Sequence, residues 1–223
     1  MDLTGNLVIA FRRGSKKLLI GSGKIHKIKT QSYILSDLRI GIIGAGHIAR
    51  EHLKVLQALE GMTICGITSR TRLTADKLAK EFGGVSVYGE PHELAHKGRA
   101  DALLVLVSAE NIFSIVEELC PLGLPLFIEK PPGLSPEETR TLADCAEING
   151  IPNMVGFNRR YYSVFHKGIE IIKRNGSLLG VVIEGHERFW KIKDDISETL
   201  REQWVYVNST HTIDLLRFFG GEP

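Results

Sequence analysis

Residues 39–49 constrain the fold of this chain more than any other stretch of its sequence. The apolar run at 40–43 leads directly into the pattern Gly44-x-Gly46-x-x-Ala49, and a second apolar run follows at 62–68. A strand that enters a glycine-rich turn and then a helix is typical of proteins that seat a dinucleotide pyrophosphate on a helix N-terminus. Gly44 permits the tight turn, Gly46 lets the backbone approach the pyrophosphate, and Ala49 allows close packing. We expect this turn to bind a dinucleotide through residues Gly44, Ala45, Gly46, His47 and Ile48.

Strands and helices alternate from Leu38 onward. Strand candidates lie at 38–43, 62–68, 101–107, 125–128 and 152–156, and helix candidates at 47–59, 73–82, 111–120 and 135–148. The strands are almost continuously apolar, which favours a sheet covered on both faces. The alternation predicts an α/β fold, a doubly wound parallel sheet of Rossmann type over residues 38–155.

The sequence allows more detailed predictions for two helices in this region. The spacing of the first helix predicts a buried face made of Ile48, Val55, Leu56 and Leu59. The last helix opens with Ser135-Pro136-Glu137-Glu138, which predicts a capping box with proline at the first helical position.

The repeat breaks after about residue 156. We expect a helix near 161–174, a strand near 179–186 that leads into Arg188-Phe189-Trp190, a polar stretch at 192–203 and a final helix near 209–219. These features predict the beginning of a second, α+β domain over 156–223, for substrate binding and oligomerisation. The chain stops on a Gly-Glu-Pro turn signal, so we expect a C-terminally truncated product.

Residues 1–37 form a basic N-terminal extension, in which seven Lys or Arg and two Asp give a net charge of +5. Such an arm could touch nucleic acid or anionic lipid, but no aromatic residues interleave the charges, and we interpret it as a solvated extension with a possible hairpin. No apolar run is long enough to span a membrane, and the start has no signal-peptide layout. Three cysteines without a C-x-x-C pattern indicate reduced thiols in a cytoplasmic protein. We expect neither nucleic acid nor a membrane as partner.

The end of the second strand bears on the choice of cofactor. An NAD enzyme usually carries Asp or Glu there for the ribose hydroxyls, whereas this chain offers Ser69 and Arg70. A hydroxyl and a guanidinium suit a 2′-phosphate, which favours NADP while leaving NAD open. The alternative is that Arg70 and Arg72 merely face solvent. Ser108, which follows the 101–107 strand, is a candidate contact for the nicotinamide or its ribose.

Lys130 is the main candidate for proton transfer. It follows the strand at 125–128, so it lies at the carboxyl edge of the predicted sheet, where ligands bind in open α/β folds. An amine held there by the stiff Pro131-Pro132 sequence could exchange a proton with a substrate. We expect Glu129 and Pro131 to line the cofactor site. No metal is predicted, because His92 and His96 are four residues apart without a further ligand and indicate a solvated helix face.

The chain resembles the family of glucose–fructose oxidoreductase, inositol dehydrogenase and related sugar dehydrogenases (Gfo/Idh/MocA). The matching residues are Gly44-Ala45-Gly46-His47-Ile48-Ala49, Glu129-Lys130-Pro131, Val155-Gly156-Phe157-Asn158-Arg159-Arg160-Tyr161 and His211-Thr212-Ile213-Asp214-Leu215-Leu216. The resemblance implies NAD(P) binding by the first domain, a homo-oligomer at full length, and Lys130 as catalytic acid/base. It also implies that His211 faces the reacting carbinol; Asp214 we interpret as structural.

The resemblance implies hydride transfer between a nicotinamide cofactor and a hydroxyl or keto carbon of a sugar, cyclitol or sugar derivative. Substrate contacts are expected from Asn208, Arg159 and Tyr161. One departure matters, because many catalytic members carry aspartate four residues before the histidine, where this chain has Val207. Asn208 can hydrogen-bond a hydroxyl but cannot act as a base. The alternative is therefore a non-catalytic, nucleotide-sensing member of the same family.

Overall fold

The computed structural model describes residues 9–10, 19–20, 38–186 and 196–222, and most of this chain is organised around a parallel sheet. Two short strands, β1 (Ile9–Ala10) and β2 (Leu19–Ile20), pair antiparallel, as a hairpin would. The sheet strands are β3 (Leu38–Ile43), β4 (Met62–Thr68), β5 (Val87–Tyr88), β6 (Ala102–Val105), β7 (Leu126–Ile128) and β8 (Asn153–Val155).

The strand order across the sheet is β5-β4-β3-β6-β7-β8, and every neighbouring pair is parallel. The chain therefore starts in the middle, builds outward to one edge, and returns to build the other half. This order confirms the predicted doubly wound sheet of Rossmann type. It also creates a switch point between β3 and β6, where the crevice above the carboxyl ends of the strands accepts ligands in folds of this kind.

Eight α-helices connect or follow these strands in the described residues. They are α1 (His47–Gln57), α2 (Arg72–Glu81), α3 (Pro91–Lys97), α4 (Ala109–Leu119), α5 (Pro136–Ile148), α6 (Ser163–Asn175), α7 (Glu198–Glu202) and α8 (Thr210–Gly220). No helix in the described ranges is both long and apolar enough to cross a bilayer.

The sheet separates two apolar cores, because successive side chains of each strand point to opposite faces. On one face, residues of β3 pack with α1 and α2 in a cluster that includes Ile42, Leu53 and Leu78. On the other, Val105 of β6 packs with Ile112 of α4 and with residues of α3 and α5. Burial on both faces explains why the strands are almost continuously apolar.

The buried face of α1 differs from the predicted one. Ala49, Leu53 and Leu56 are buried, whereas Ile48 and Val55 are 47% and 41% exposed. Ala49 is small enough to bring the helix close to the sheet, so the helix rotates towards the 49–53–56 stripe. The expectation for Ile48 and Val55 was wrong because periodicity alone fits more than one rotation of a short helix.

The start of α5 is the predicted capping box. The Ser135 hydroxyl accepts a hydrogen bond from the Glu138 N–H at 3.1 Å. The Glu138 carboxylate accepts one from the Leu134 N–H at 2.7 Å, one residue earlier than the usual partner. Both contacts satisfy main-chain donors at the helix start, which fixes where the loop after Lys130 ends.

The strand predicted near 179–186 is not formed. These residues carry no regular secondary structure, and Leu179 and Val182 are 99% and 85% exposed. An apolar alternating segment needs a neighbouring strand for its backbone hydrogen bonds, and none lies alongside within the described residues. Arg188, Phe189 and Trp190, which were expected to follow this strand, lie outside the described residues.

Candidate active site at the carboxyl edge of the sheet

The glycine turn between β3 and α1 leaves open space in front of a helix N-terminus. Gly44 has φ +112°, and a Cβ added there would lie 2.3 Å from the Leu106 carbonyl oxygen, so only glycine fits. Gly46 is the N-cap of α1 with no side-chain cap, and a Cβ added there would meet nothing within 4 Å. The exposed first turn of α1 can therefore receive an anion such as a pyrophosphate.

The side chains expected to contact the dinucleotide are half-buried or exposed. Ala45 is half-buried, and His47 and Ile48 are exposed in the first turn of α1. Ser69 is half-buried just past β4, followed by an exposed Arg70. The described part of the chain provides no ion-pair partner for Arg70, whereas Arg72 pairs with Asp76 at 2.9 Å. Arg70 is thus the guanidinium of the two that remains available to a ligand.

Ser108 lies at the N-cap of α4, directly beyond β6. Its side chain is exposed to solvent and its hydroxyl oxygen accepts a 2.6 Å hydrogen bond from the Asn111 amide. This places a polar hydroxyl on the same edge of the sheet as the glycine turn.

Lys130 follows β7 and is held at both ends. Its main-chain N–H donates to the Glu129 carboxylate at 3.0 Å. Its Nζ atom donates to the Val207 main-chain oxygen at 2.8 Å. Pro131, joined to Lys130 by a cis peptide bond, is buried behind it. The amine therefore bridges the edge of the sheet and the segment that precedes α8.

His211 lies on α8 and is buried, at 7% exposure. Burial lowers its pKa from 6.5 to about 4, helped by the positive charges of Lys130 and Arg159. Its ring is therefore neutral at pH 7. The Nδ1 atom is buried without a hydrogen-bond partner in the described residues, which is uncommon for a polar atom in a folded protein. Lys130 and Arg159 therefore lie close enough to His211 for their charges to act on its ring.

A turn of π-helix, Val205–Ser209, immediately precedes α8. It contains Val207, whose main-chain oxygen meets Lys130, and the half-buried Asn208. π-turns within helices occur often at functional sites. Tyr161, another expected substrate contact, is half-buried at the end of a 3₁₀ turn, Asn158–Tyr161.

Arg160 and Asp214 form an ion pair that holds this 3₁₀ turn against α8. The Arg160 Nε donates to one carboxylate oxygen at 2.7 Å, and a terminal guanidinium nitrogen donates to the other. The guanidinium also lies 5.6 Å from the centre of the Phe157 ring and 5.5 Å from that of Phe218. Asp214 therefore has the structural role expected, whereas its partner was not foreseen, since 54 residues separate the two.

A parallel sheet in this order, with an open glycine turn at its switch point, defines a dinucleotide-binding protein of Rossmann type. Residues 38–157 match the sequence model of the Gfo/Idh/MocA oxidoreductase family, which is described as having an NAD-binding Rossmann fold. The chain belongs to this family. The predicted resemblance is thereby confirmed.

Relatives of known name share the first part of the chain. It is 30% identical over 149 residues to glucose-6-phosphate 3-dehydrogenase of Bacillus subtilis, covering 65% of this chain and 41% of the relative. It is 29% identical over 127 residues to inositol 2-dehydrogenase of Paracoccus denitrificans, covering 56% and 38%. The chain therefore spans about two fifths of the length of these curated relatives.

Solved structures share the fold. GenD2 from gentamicin A biosynthesis, determined in complex with NAD, is 23% identical and aligns with a TM-score of 0.66, over 89% of this chain and 58% of GenD2. At this identity the likeness concerns the fold alone.

Proposed function

We propose that this chain provides the cofactor domain and the proton-transferring residues of an NAD(P)-dependent oxidoreductase. The reaction moves a hydride between the nicotinamide and a hydroxyl or keto carbon of a sugar, cyclitol or sugar derivative. The observation that carries the proposal is that Lys130 lies near the buried His211 at the carboxyl edge of the sheet, and that Nδ1 of this histidine has no hydrogen-bond partner in the described residues. The sugar and inositol dehydrogenases among its relatives support the substrate class.

The residues present fit a dinucleotide. The unobstructed N-terminus of α1 at Gly46 would hold the pyrophosphate. Ser69 and Arg70 would contact the adenine ribose, and the available guanidinium of Arg70 supports NADP over NAD as the preferred form. When bound, the nicotinamide would accept or supply the hydride.

In this proposal Lys130 transfers the proton and His211 orients the substrate oxygen. In oxidation, Lys130 takes the hydroxyl proton as the carbon loses hydride, once its ammonium has released a proton to water; in reduction, the ammonium gives its proton to the oxygen. His211 is neutral at pH 7, so its ring can orient the substrate oxygen without adding charge. Asn208, Arg159 and Tyr161 would bind the remaining hydroxyls. We propose that residues 156–223 contribute to a substrate and oligomerisation domain beside the cofactor domain at 38–155.

A second candidate is a nucleotide-sensing member of the family without turnover. The observation in its favour is that the Lys130 amine donates to the main-chain oxygen of Val207, at the position where many catalytic members of the family carry aspartate. A carbonyl can hold an ammonium but cannot relay its proton.

The two candidates are separated by hydride transfer from NADPH to a panel of keto-sugars, with cofactor binding measured in parallel. For the oxidoreductase, Lys130→Met should lower kcat about 10²–10⁴-fold while the NADPH dissociation constant stays within about threefold. Tight NADPH binding without turnover on any keto-sugar would favour the sensor.

A further inference from the structure

His52 on α1 contacts the acidic residue that precedes the proposed catalytic lysine. Its Nε2 lies 3.1 Å from Glu129 Oε1, and its ring meets Phe127 edge-on, with centroids 5.2 Å apart. Because a carboxylate only accepts hydrogen bonds, Nε2 carries the hydrogen in this contact. The contact joins the helix that begins at the glycine turn to the end of β7.

Glu129 uses both carboxylate oxygens in this arrangement. Oε1 meets His52, and Oε2 accepts the main-chain N–H of Lys130 at 3.0 Å. The side chains of His52 and Glu129 are only 29% and 17% exposed, so water competes weakly for the contact. The Glu129 carboxylate thus connects His52 of α1 to the main-chain N–H of Lys130.

Gly156, just past β8, leaves space for the Glu129 carboxylate and the Phe127 ring. A Cβ added there would lie 3.2 Å from Glu129 Oε1 and 3.1 Å from the Phe127 ring. Three elements therefore converge on the contact between His52 and Glu129: α1 through His52, β7 through Phe127, which packs against the His52 ring, and the turn after β8 through Gly156.

We propose that His52 is a positioning residue that links the cofactor-binding helix to Lys130 through Glu129. The proposal deepens the function given above and rests on it for its catalytic meaning. His52 lies six residues beyond the Gly46 cap, about 9 Å along the axis of α1. A dinucleotide seated at the start of this helix and the Lys130 amine are thereby held in one rigid frame, which fixes where the amine stands relative to the cofactor.

The first test follows the Lys130 amide, whose proton is held by Glu129. Residue-resolved amide hydrogen exchange by NMR is compared among the wild type, His52→Leu and His52→Gln. His52→Leu should speed exchange of the Lys130 amide about tenfold, because the carboxylate loses its second anchor. His52→Gln, which keeps an N–H donor at similar reach, should stay within about threefold of the wild type. Unchanged exchange in His52→Leu would overturn the proposal.

A matched control and a substitute variant keep the test decisive. His96→Leu makes the same replacement on an exposed helical position of α3 and should leave the Lys130 amide unaffected. If His52→Leu does not fold, His52→Asn takes its place, since its shorter amide does not reach Glu129; it should also speed the exchange, and unchanged exchange would count equally against the proposal.

Turnover provides the second readout. His52→Leu should lower kcat about tenfold with the NADPH dissociation constant within about twofold, and His52→Gln should recover most of the loss. The exchange experiment requires no substrate, so it decides the role of His52 independently. Absence of turnover in the wild type would count against the proposed function and would leave the exchange result standing on its own.

Discussion

The Nζ atom of Lys130 and the main-chain oxygen of Val207 are 2.8 Å apart, although 77 residues separate them in the sequence. This hydrogen bond directly joins the edge of the parallel sheet to the segment that leads into α8. Its acceptor belongs to the backbone, so it directs the amine irrespective of which side chain occupies position 207. The tie also brings the positive charge of Lys130 close enough to His211 to help keep that ring neutral.

The two glycines of the turn should respond differently to alanine. Gly44→Ala places a Cβ 2.3 Å from the Leu106 oxygen at φ +112° and should lower the free energy of unfolding by about 1–3 kcal/mol or more. Gly46→Ala projects its Cβ into open space, so stability should change by less than about 0.5 kcal/mol. Chemical denaturation and NADPH titration measure the two effects. Gly46→Ala should nevertheless weaken NADPH binding about tenfold, and unaltered affinity would argue against a pyrophosphate at this turn.

Arg70 should set the preference between the two cofactors. Arg70→Ala should weaken NADPH binding about tenfold and NADH binding by less than about twofold, because only the former carries a 2′-phosphate for the guanidinium. Fluorescence titration with both nucleotides gives the ratio. The control is Arg72→Gln, since Arg72 is engaged with Asp76. Equal losses for NADPH and NADH would contradict the assignment.

His211 should make stability fall in mild acid. The unfolded chain binds a proton near pH 6.5, whereas the folded chain does so only near pH 4. Because the unfolded state binds more protons in between, the free energy of unfolding decreases as the pH falls from 6.5 to about 4. The loss is about 1.4 kcal/mol per pH unit and about 3 kcal/mol in total.

Urea denaturation of the wild type and His211→Leu across this pH interval isolates the effect. The difference between the two curves should vary with pH in that window and be level above pH 7. If the difference in the free energy of unfolding did not depend on pH, the imidazole of His211 would have its ordinary pKa in the folded protein.

The ion pair between Arg160 and Asp214 should stabilise the docking of α8. Asp214→Asn should lower the free energy of unfolding by about 1–3 kcal/mol, because it removes the charge of a buried carboxylate and leaves the partly exposed Arg160 guanidinium without its counterion. A double-mutant cycle with Arg160→Leu should give a coupling of about 1–3 kcal/mol. Thermal or chemical unfolding of the four proteins suffices, and additive effects would mean that the pair contributes nothing to docking.

Much of the sheet could be predicted because each element is specified locally. The strands at 38–43 and 62–68 were placed at their observed ends, and Ser135 marked the start of α5. By contrast, β5 and α3 were missed. A strand of two residues and a helix of seven are too short to show a period.

The site was less accessible to sequence reasoning because its contacts join distant residues or involve the backbone. Lys130 was singled out from its place after a strand, but no residue type signals that the Val207 oxygen receives its amine. The pairing of Arg160 with Asp214 depends on how α8 packs. The histidine at 52 could have been noticed from its place on α1, yet its acidic partner lies 77 residues away.

The π-turn at Val205–Ser209 runs directly into α8 and sets the rotation of the preceding residues about the axis of that helix. It holds one residue more than an α-helical turn would use. Removing a single residue between Val207 and α8 would rotate everything that precedes the deletion by about 100° relative to α8. The histidine would keep its place, while the oxygen that meets the lysine would swing to another side of the helix axis. In this chain, a one-residue insertion or deletion could thus separate the two proton-handling groups without altering either.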